Sequence, residues 1–142
     1  MKYFAKIILI VAFSIFISTI FKDASAVEKP KALPGESKKV IINKDHYFTY
    51  EFAKKPSMGT VVLRVRVFDN NGKQITPYAV FGDYGMPSMR GHHDSGKQQF
   101  KLNKRGDYLL PVNIVMPGDW DVTITIEKDG KAIFKGVLYF DI

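Results

Sequence analysis

The segment GMPSMRGHHDSG, residues 85–96, concentrates the side chains of this chain that could bind a metal ion. It holds Met86, Met89, His92 and His93 within one short stretch. Thioether sulfur is a soft, uncharged ligand that selects Cu(I), whereas imidazole binds Cu(I), Cu(II), Zn and Ni alike. The residue types therefore predict a copper site, with Cu(I) as the preferred ion and Cu(II) or Zn as the alternatives.

Neighbouring residues favour closure of such a site. Pro87 stiffens the turn between the two methionines, and Gly91 allows the chain to fold back. We expect either His92 or His93 to complete a three-coordinate site. The carboxylate of Asp94 is either a partner that orients an imidazole or an ordinary loop carboxylate.

A third methionine, Met116, directly precedes Pro117 at the end of a predicted strand. It is a further candidate ligand if that end of the strand meets the segment at 85–96. Its place in the alternating pattern also suits the core, and methionines in a loop often fill irregular gaps at the end of a core. A metal loop and a structural cap both remain open, whereas His46, alone near a strand start, is interpreted as an exposed polar residue.

The N-terminal residues have the pattern of a secretory signal peptide. A basic start with Lys2 and Lys6 precedes an uncharged apolar run over 7–21, and small residues follow at 24–26. We predict cleavage after Ala26, so residues 1–26 form the signal peptide and the protein is periplasmic or otherwise extracytoplasmic. The alternative is an uncleaved anchor, although the run is shorter than a comfortable membrane span.

Composition excludes several kinds of site. The chain contains 0 cysteines, which excludes thiolate metal sites and cysteine nucleophiles, so an exported domain must be held together by its core. The net charge of +7 is scattered, with no basic helix, so we expect no nucleic-acid partner. No Gly-x-Ser-x-Gly motif or pair of carboxylates at strand ends is present, and we expect that the protein is not an enzyme.

Residues 27–37 are polar with two prolines and are predicted to form a flexible leader, and residues 38–142 a single domain. Within this domain apolar and polar side chains alternate, as in sheets with one buried face. Asn71-Gly72 and Asp129-Gly130 are strong hairpin signals. The pattern predicts an all-β fold, an immunoglobulin-like antiparallel β-sandwich of about seven strands. The predicted strands are 46–53, 60–69, 99–102, 108–116, 120–127 and 132–142.

The same alternation predicts which side chains face the core. Tyr108 follows a Gly-Asp pair and either bonds its hydroxyl back to the preceding loop or simply packs inside. The other inward-facing residues are expected to be Phe48, Tyr50, Phe52, Val61, Leu63, Val65, Val67, Phe100, Leu102, Leu110, Val112, Ile114, Met116, Trp120, Val122, Ile124, Ile126, Phe134, Leu138 and Phe140.

Three motifs resemble those of the YtkA-like domain family, small exported sandwiches related in pattern to FixH-type proteins. They are Met-Pro-Ser-Met with a following Gly-His at 86–92, Gly-Asp-Tyr at 106–108 and Met-Pro-Gly-Asp-Trp at 116–120. The resemblance covers about Thr60 to Ile142. It implies an immunoglobulin-like fold and a link to copper handling or oxidase assembly, and it strengthens Met116 as a ligand or loop support. FixH-type members keep a membrane anchor, from which the predicted cleavage site departs.

Two functions follow as hypotheses. The first is a periplasmic copper carrier or buffer that exchanges its metal with a membrane transporter or an oxidase-assembly complex and keeps no membrane span after cleavage. The second is an interaction or assembly module without metal, which docks a membrane protein complex through an exposed strand edge or through the face that carries Arg64 and Arg66.

Overall fold

The computed structural model describes residues 29–142 and packs them as two β-sheets face to face. The all-β, immunoglobulin-like sandwich predicted from the sequence is confirmed. The predicted signal peptide lies outside the described residues. None of the helices in the described part of the chain is long and apolar enough to cross a bilayer.

Residues 29–142 contain eleven strands, of which five are only two residues long. The six longer strands form the body of the sandwich, and the short ones extend its edges, which accounts for the higher count than about seven. In chain order the strands are β1 (Lys31–Ala32), β2 (Val40–Ile41), β3 (His46–Phe52), β4 (Gly59–Asp69), β5 (Gln74–Ile75), β6 (Ala79–Gly85), β7 (Gln98–Gln99), β8 (Lys101–Leu102), β9 (Tyr108–Ile114), β10 (Asp119–Lys128) and β11 (Lys131–Asp141).

The first sheet has the order β1-β11-β10-β6-β7, and the second has the order β2-β3-β4-β9-β8 with β5 also paired to β4. All strand pairs are antiparallel except β1 with β11, which is parallel. The two-residue hairpin at Asp129 and Gly130, both with positive φ, joins β10 to β11 as predicted.

The core lies between the sheets and is built from the alternating apolar positions of β4, β9 and β10. Edge-to-face contacts of Phe48 with Phe134 and of Phe52 with Phe140 place β3 against β11. Removal of each such side chain from water stabilises the fold by roughly 1.5–3 kcal/mol. The largest fully buried side chains are Trp120, Phe48, Leu63, Leu110, Ile114, Ile124, Ile126, Val61, Val65, Val67, Val80 and Val112.

The inward position expected for Leu102 is wrong, because its side chain is 51 % exposed. The chain changes sheets at Phe100. Residues 98–99 pair with β6 in the first sheet, Phe100 is buried between the sheets, and residues 101–102 pair with β9 in the second. Because the chain changes sheets here, strand alternation does not continue from Phe100 to Leu102, and Leu102 need not face the core.

The sequence pattern did not predict β6, a strand between β10 and β7. The cause is Gly82, whose missing side chain interrupts the apolar alternation. A side chain at Gly82 would clash with Leu110 and Phe100, so the inner face of β6 is closed by residues of β9 and of the β7–β8 crossing.

The structure also differs from the flexible leader predicted for 27–37. Lys31 and Ala32 pair with β11, and the amide of Leu33 donates to the carbonyl oxygen of Val137 at 2.8 Å. The Tyr50 hydroxyl donates to the carbonyl oxygen of Pro34. From Lys31 onward this segment therefore belongs to the sandwich.

Tyr108 is buried and hydrogen-bonded, but not to the preceding loop. Its hydroxyl donates to the carbonyl oxygen of Tyr78 at 2.9 Å, before β6. The ring of His46 is half-buried and bonded through Nδ1 to the Tyr78 hydroxyl, which also accepts from Asn43 at 3.1 Å. His46 is thus part of a polar cluster rather than a solvated residue.

Candidate metal loop

The predicted metal-binding segment lies in the loop between β6 and β7, residues 86–97, called here the β6–β7 loop. Its base is closed by backbone and side-chain bonds. The amide of Ser95 donates to the carbonyl oxygen of Tyr84 at 2.8 Å, and the amide of Tyr84 donates to the Ser95 hydroxyl at 2.9 Å. The loop therefore leaves and re-enters the first sheet at a fixed position.

Two carboxylates of β10 hold the middle of the loop. Asp119 accepts the amide of Ser88 at 3.1 Å and also its hydroxyl, and Asp121 accepts from the guanidinium of Arg90. The hydrogen bond from the Ser88 hydroxyl holds the pKa of Asp119 below its ordinary value. Because Met89 lies between Ser88 and Arg90, it is flanked on both sides by an anchored residue.

These contacts place most of the loop over the outer face of the first sheet. Trp120 and Val122 face the core, so strand alternation directs Asp121 away from it. Asp121 is nevertheless only 2 % exposed, since the β6–β7 loop covers it. The loop thus starts at the end of the sandwich and folds back over the outer face of the first sheet.

The electrostatics of Asp121 are those of a buried acid with an incomplete set of partners. Burial raises the pKa of its carboxyl group, and Asp94 and Asp83 add to this, whereas the bond and charge of Arg90 oppose it. Oδ1 of Asp121 is buried and has no hydrogen-bond partner among residues 29–142. The ion pair with Arg90 therefore offsets part of the desolvation cost of burying this carboxylate.

Asp94 closes the turn that carries the histidines. Its Oδ2 accepts the amide of Gly91 at 2.8 Å, and its Oδ1 lies 3.4 Å from Nη1 of Arg90. Both side chains lie over Gly85, where a side chain would clash with Asp94. Of the two roles considered for Asp94, the structure shows the loop carboxylate, because its bonds go to the backbone and to arginine.

The predicted methionine ligands are divided between the core and the surface. Met86 is 3 % exposed and packs in the core, where its Cε lies 2.8 Å from the position that a Cβ on Gly118 would take. Met116 is half-buried against the core, and its carbonyl oxygen accepts the indole N–H of Trp120 at 3.0 Å. Met89, in a short 3₁₀ helix (Pro87–Met89), is 38 % exposed.

The two histidines of the loop differ in exposure. His92 is exposed and His93 is half-buried. The amide of His92 donates to the carbonyl oxygen of Met89 at 3.2 Å, and Gly91 between them has a φ of 85°. Within residues 29–142 neither imidazole ring has a hydrogen-bond partner, in contrast to that of His46.

The structure thus keeps Met89, His92 and His93 in one turn of the loop, with a backbone bond between Met89 and His92, and places Met86 and Met116 toward the interior. In the described part of the chain no three side chains among histidine, aspartate and glutamate are arranged to hold a metal ion. A site in this loop would therefore depend on a thioether as well as on imidazole, which is the chemistry of a soft ion.

Sequence reasoning missed the residues that anchor the loop, Ser88, Arg90, Asp119 and Asp121. The sequence does contain a signal for them. Ser88 and Arg90 are two residues apart, and their partners Asp119 and Asp121 are also two residues apart on β10. That spacing becomes informative only when β6 and β10 are known to be neighbours, and β6 had not been predicted.

On the face that carries Arg64 and Arg66, both arginines form ion pairs with neighbouring carboxylates. Arg64 pairs with Glu51 at 3.0 Å, and Arg66 pairs with Glu51 at 3.3 Å and with Asp107 at 2.9 Å. These guanidinium groups are thus held in internal ion pairs, with the charge of each arginine partly compensated.

Comparison with known proteins supports the fold. No family model matches the chain, and no curated protein matches it. Among solved structures, the chain is similar to FetP of uropathogenic E. coli strain F11, recombinantly expressed in the periplasm of E. coli BL21(DE3). The TM-score is 0.51 at 14% sequence identity, and the alignment covers 80% of this chain and 95% of FetP. At this identity the similarity shows a related fold.

Proposed function

We propose that this protein is an exported copper-binding protein, a carrier or buffer of Cu(I), which binds the metal through Met89, His92 and His93 of the β6–β7 loop. The observation that carries the proposal is that the loop's hydrogen-bonding groups are occupied whereas its potential soft-metal ligands are not. Its carboxylate, hydroxyl and guanidinium groups are engaged with β10 or with the loop itself, while the Met89 thioether and the His92 ring are exposed and the half-buried His93 ring has no hydrogen-bond partner within 29–142.

The anchors reduce the cost of metal binding. A flexible loop would have to be ordered when it binds, whereas Ser88 and Arg90 already hold Met89 between two fixed contacts. The hydrogen bond from His92 to the carbonyl oxygen of Met89 sets the separation of their backbones. We expect rotation of three side chains, rather than refolding of the loop, to complete the site.

The ligand types favour a soft ion. The three carboxylates near the loop, Asp94, Asp119 and Asp121, already accept hydrogen bonds from the amides, hydroxyl or guanidinium around them. Hard ions such as Ca²⁺ and Mg²⁺ need several free oxygen ligands, whereas Cu(I) accepts sulfur and nitrogen. Cu(II) and Zn remain secondary candidates through the imidazoles.

Met86 and Met116 receive a supporting role in this proposal. For Met86 to ligate, its sulfur would have to leave a core position where it is 3 % exposed and packed at Gly118. Met116 is fixed beside the same turn through its carbonyl oxygen. We therefore assign both residues to the packing beneath the loop, and Met89 to the metal.

Three further points favour export and copper. The resemblance of the motifs to the YtkA-like family implies copper handling or oxidase assembly, and a membrane transporter or oxidase-assembly complex is the partner expected to exchange the ion. FetP, the similar structure, was expressed in the periplasm. A chain with 0 cysteines has only thioether, imidazole and oxygen ligands to offer in an oxidising compartment.

The test is an anaerobic Cu(I) titration of the full chain, purified after export, against a chromophoric chelator. We expect a single tightly bound Cu(I) per chain. Met89→Leu and the double variant His92→Gln, His93→Gln should each weaken binding by tenfold or more, and adding Met86→Leu to Met89→Leu should cause no further loss. Met58→Leu is the matched control, since Met58 is also exposed but lies outside the loop. Unchanged affinity in Met89→Leu would refute the assignment.

A further inference from the structure

All four methionines of residues 29–142 lie at one end of the sandwich. Gly59 at the start of β4 pairs with Ile114 at the end of β9. Met58, just before Gly59, and Met116, two residues after Ile114, therefore lie at the same end. Gly85 at the end of β6 pairs with Asp121 near the start of β10, which places Met86 and Met89 there too. The chain thus gathers its thioethers at the end where the β6–β7 loop begins.

Their exposure to solvent is graded. Met58 is 53 % exposed and Met89 38 %, whereas Met116 is half-buried and Met86 is 3 % exposed. Reaction of a methionine with a dissolved oxidant follows access to its sulfur. We therefore expect Met58 and Met89 to react and Met86 to be protected.

The relevant chemistry is two-electron oxidation by hydrogen peroxide. The sulfur lone pair attacks one peroxide oxygen, the O–O bond breaks, and the other oxygen leaves as water after proton transfer, so thioether and peroxide give sulfoxide and water. Methionine sulfoxide reductases reverse the change, one enzyme for each sulfoxide epimer. The product is polar and offers an oxygen in place of the soft sulfur donor.

We propose that Met89 is a site of reversible oxidation by peroxide, and that its oxidation switches off Cu(I) binding by the β6–β7 loop. The inference rests on the proposed function, since it takes Met89 as the ligand. The anchors at Ser88 and Arg90 do not involve the sulfur, so the loop keeps its place while the ligand is lost. Met58, which is more exposed than Met89 but lies outside the loop, is oxidised without this consequence.

The experiment treats the metal-free full chain with hydrogen peroxide and follows each methionine by peptide mass spectrometry. Cu(I) affinity is measured before treatment, after treatment and after incubation with both sulfoxide reductases and a thiol reductant. We expect sulfoxide at Met58 and Met89 ahead of Met86, a fall in affinity of at least tenfold, and recovery after reduction. Circular dichroism of the oxidised protein should remain that of the untreated protein.

Two variants separate the methionines. Met58→Leu should respond to peroxide as the wild type does, whereas Met89→Leu should begin with weakened binding and show no further loss. Oxidation of Met86 as fast as Met89, or full Cu(I) affinity in a protein whose Met89 is oxidised, would overturn the switch while the proposed function stands. Absence of Cu(I) binding before any oxidation would instead overturn the proposed function and the switch together.

Discussion

Arg90 of the β6–β7 loop is ion-paired with Asp121 of β10, a carboxylate that the strand directs away from the core and the loop then buries. The pair attaches the loop to the outer face of the first sheet. Half of the Arg90 side chain remains exposed, while Asp121 has lost nearly all contact with water. Because one oxygen of Asp121 has no partner within 29–142, the cost of its burial depends on Arg90.

Removal of Arg90 should therefore destabilise the whole domain and not only the loop. Arg90→Met leaves a buried acceptor without its donor, and we expect the free energy of unfolding to fall by roughly 1–3 kcal/mol. Adding Asp121→Asn should recover part of the loss, because a neutral amide is less costly to bury. Urea unfolding measures both effects, with the exposed Arg105→Met as control. Equal stability of Arg90→Met and wild type would show that the pair is not structural.

We predict that glycine is needed at position 85 because the side chains of Asp94 and Arg90 occupy the space of a Cβ, and not because of its backbone conformation. A Cβ at Gly85 would clash with the Asp94 carboxylate and lie 3.2 Å from Nη1 of Arg90. Gly85→Ala should lower stability by displacing both, and Asp94→Ala in the same chain should restore part of it. Thermal unfolding of the single and double variants tests this coupling. Gly35→Ala, where no atom lies within 4 Å, should have little effect.

Much of the fold was accessible from the sequence because its central strands each have one buried face. In β4, Val61, Leu63, Val65 and Val67 are all buried, and β10 shows the same regularity from Trp120. The alternating apolar pattern gave wrong or missing predictions at two places, where packing from another strand or a change of sheet decides which residue is buried. Gly82 is small because residues of β9 and the crossing chain fill its place, and Leu102 follows a change of sheet at Phe100.

The candidate site was predictable in its chemistry but not in its geometry. Residue types identified the thioethers and imidazoles, and in the structure Met89 and His92 are exposed in the loop while His93 is half-buried. The core position of Met86, three residues before Met89, was missed because β6 itself was not predicted. Its direction is set by the alternation of β6, which continues one residue past the end of the strand.

Asp107 should contribute acid-sensitive stability. Burial opposes its ionisation, but hydrogen bonds from Arg66, Asn103 and Gln74 outweigh this and hold its pKa below the ordinary value. The folded state therefore binds this proton less readily than the unfolded state does. Its stabilisation is complete above the unfolded pKa of about 3.9 and is lost as the pH falls through the lower, folded pKa. Asp107→Asn should flatten the loss of stability on acidification, measured by urea unfolding across this range.

Asp121 provides the contrast for that measurement. Burial raises its pKa, so the folded state takes up this proton first, and stability due to Asp121 falls as the pH rises from about 3.9 through the raised value. In the Arg90→Met background, Asp121→Asn should therefore change the pH dependence in the direction opposite to Asp107→Asn. The same direction in both variants would contradict the environments described for the two carboxylates.

Charge reversal at Arg66 should act first on stability. Arg66→Glu would place a carboxylate beside Glu51 and Asp107, replacing two attractive contacts by like charges. We expect a lower midpoint in urea, partly restored at high salt, where exposed charges are screened. Lys101→Glu, on the exposed edge strand β8, is the control for net charge. If Arg66→Glu leaves stability unchanged and abolishes docking to a membrane complex, the interaction-module hypothesis gains over the metal hypothesis.

Met86 should behave as a core residue whose sulfur is dispensable. Met86→Ala removes most of a side chain that is 3 % exposed, and we expect a loss of about 2–5 kcal/mol from the cavity it leaves. Met86→Leu keeps the volume and should cost less than about 1.5 kcal/mol. Since its Cε rests at Gly118 and not on the solvent side of the loop, Met86→Leu should also retain Cu(I) affinity in the chelator competition. Loss of Cu(I) binding in a stably folded Met86→Leu protein would show that this sulfur leaves the core to reach the metal.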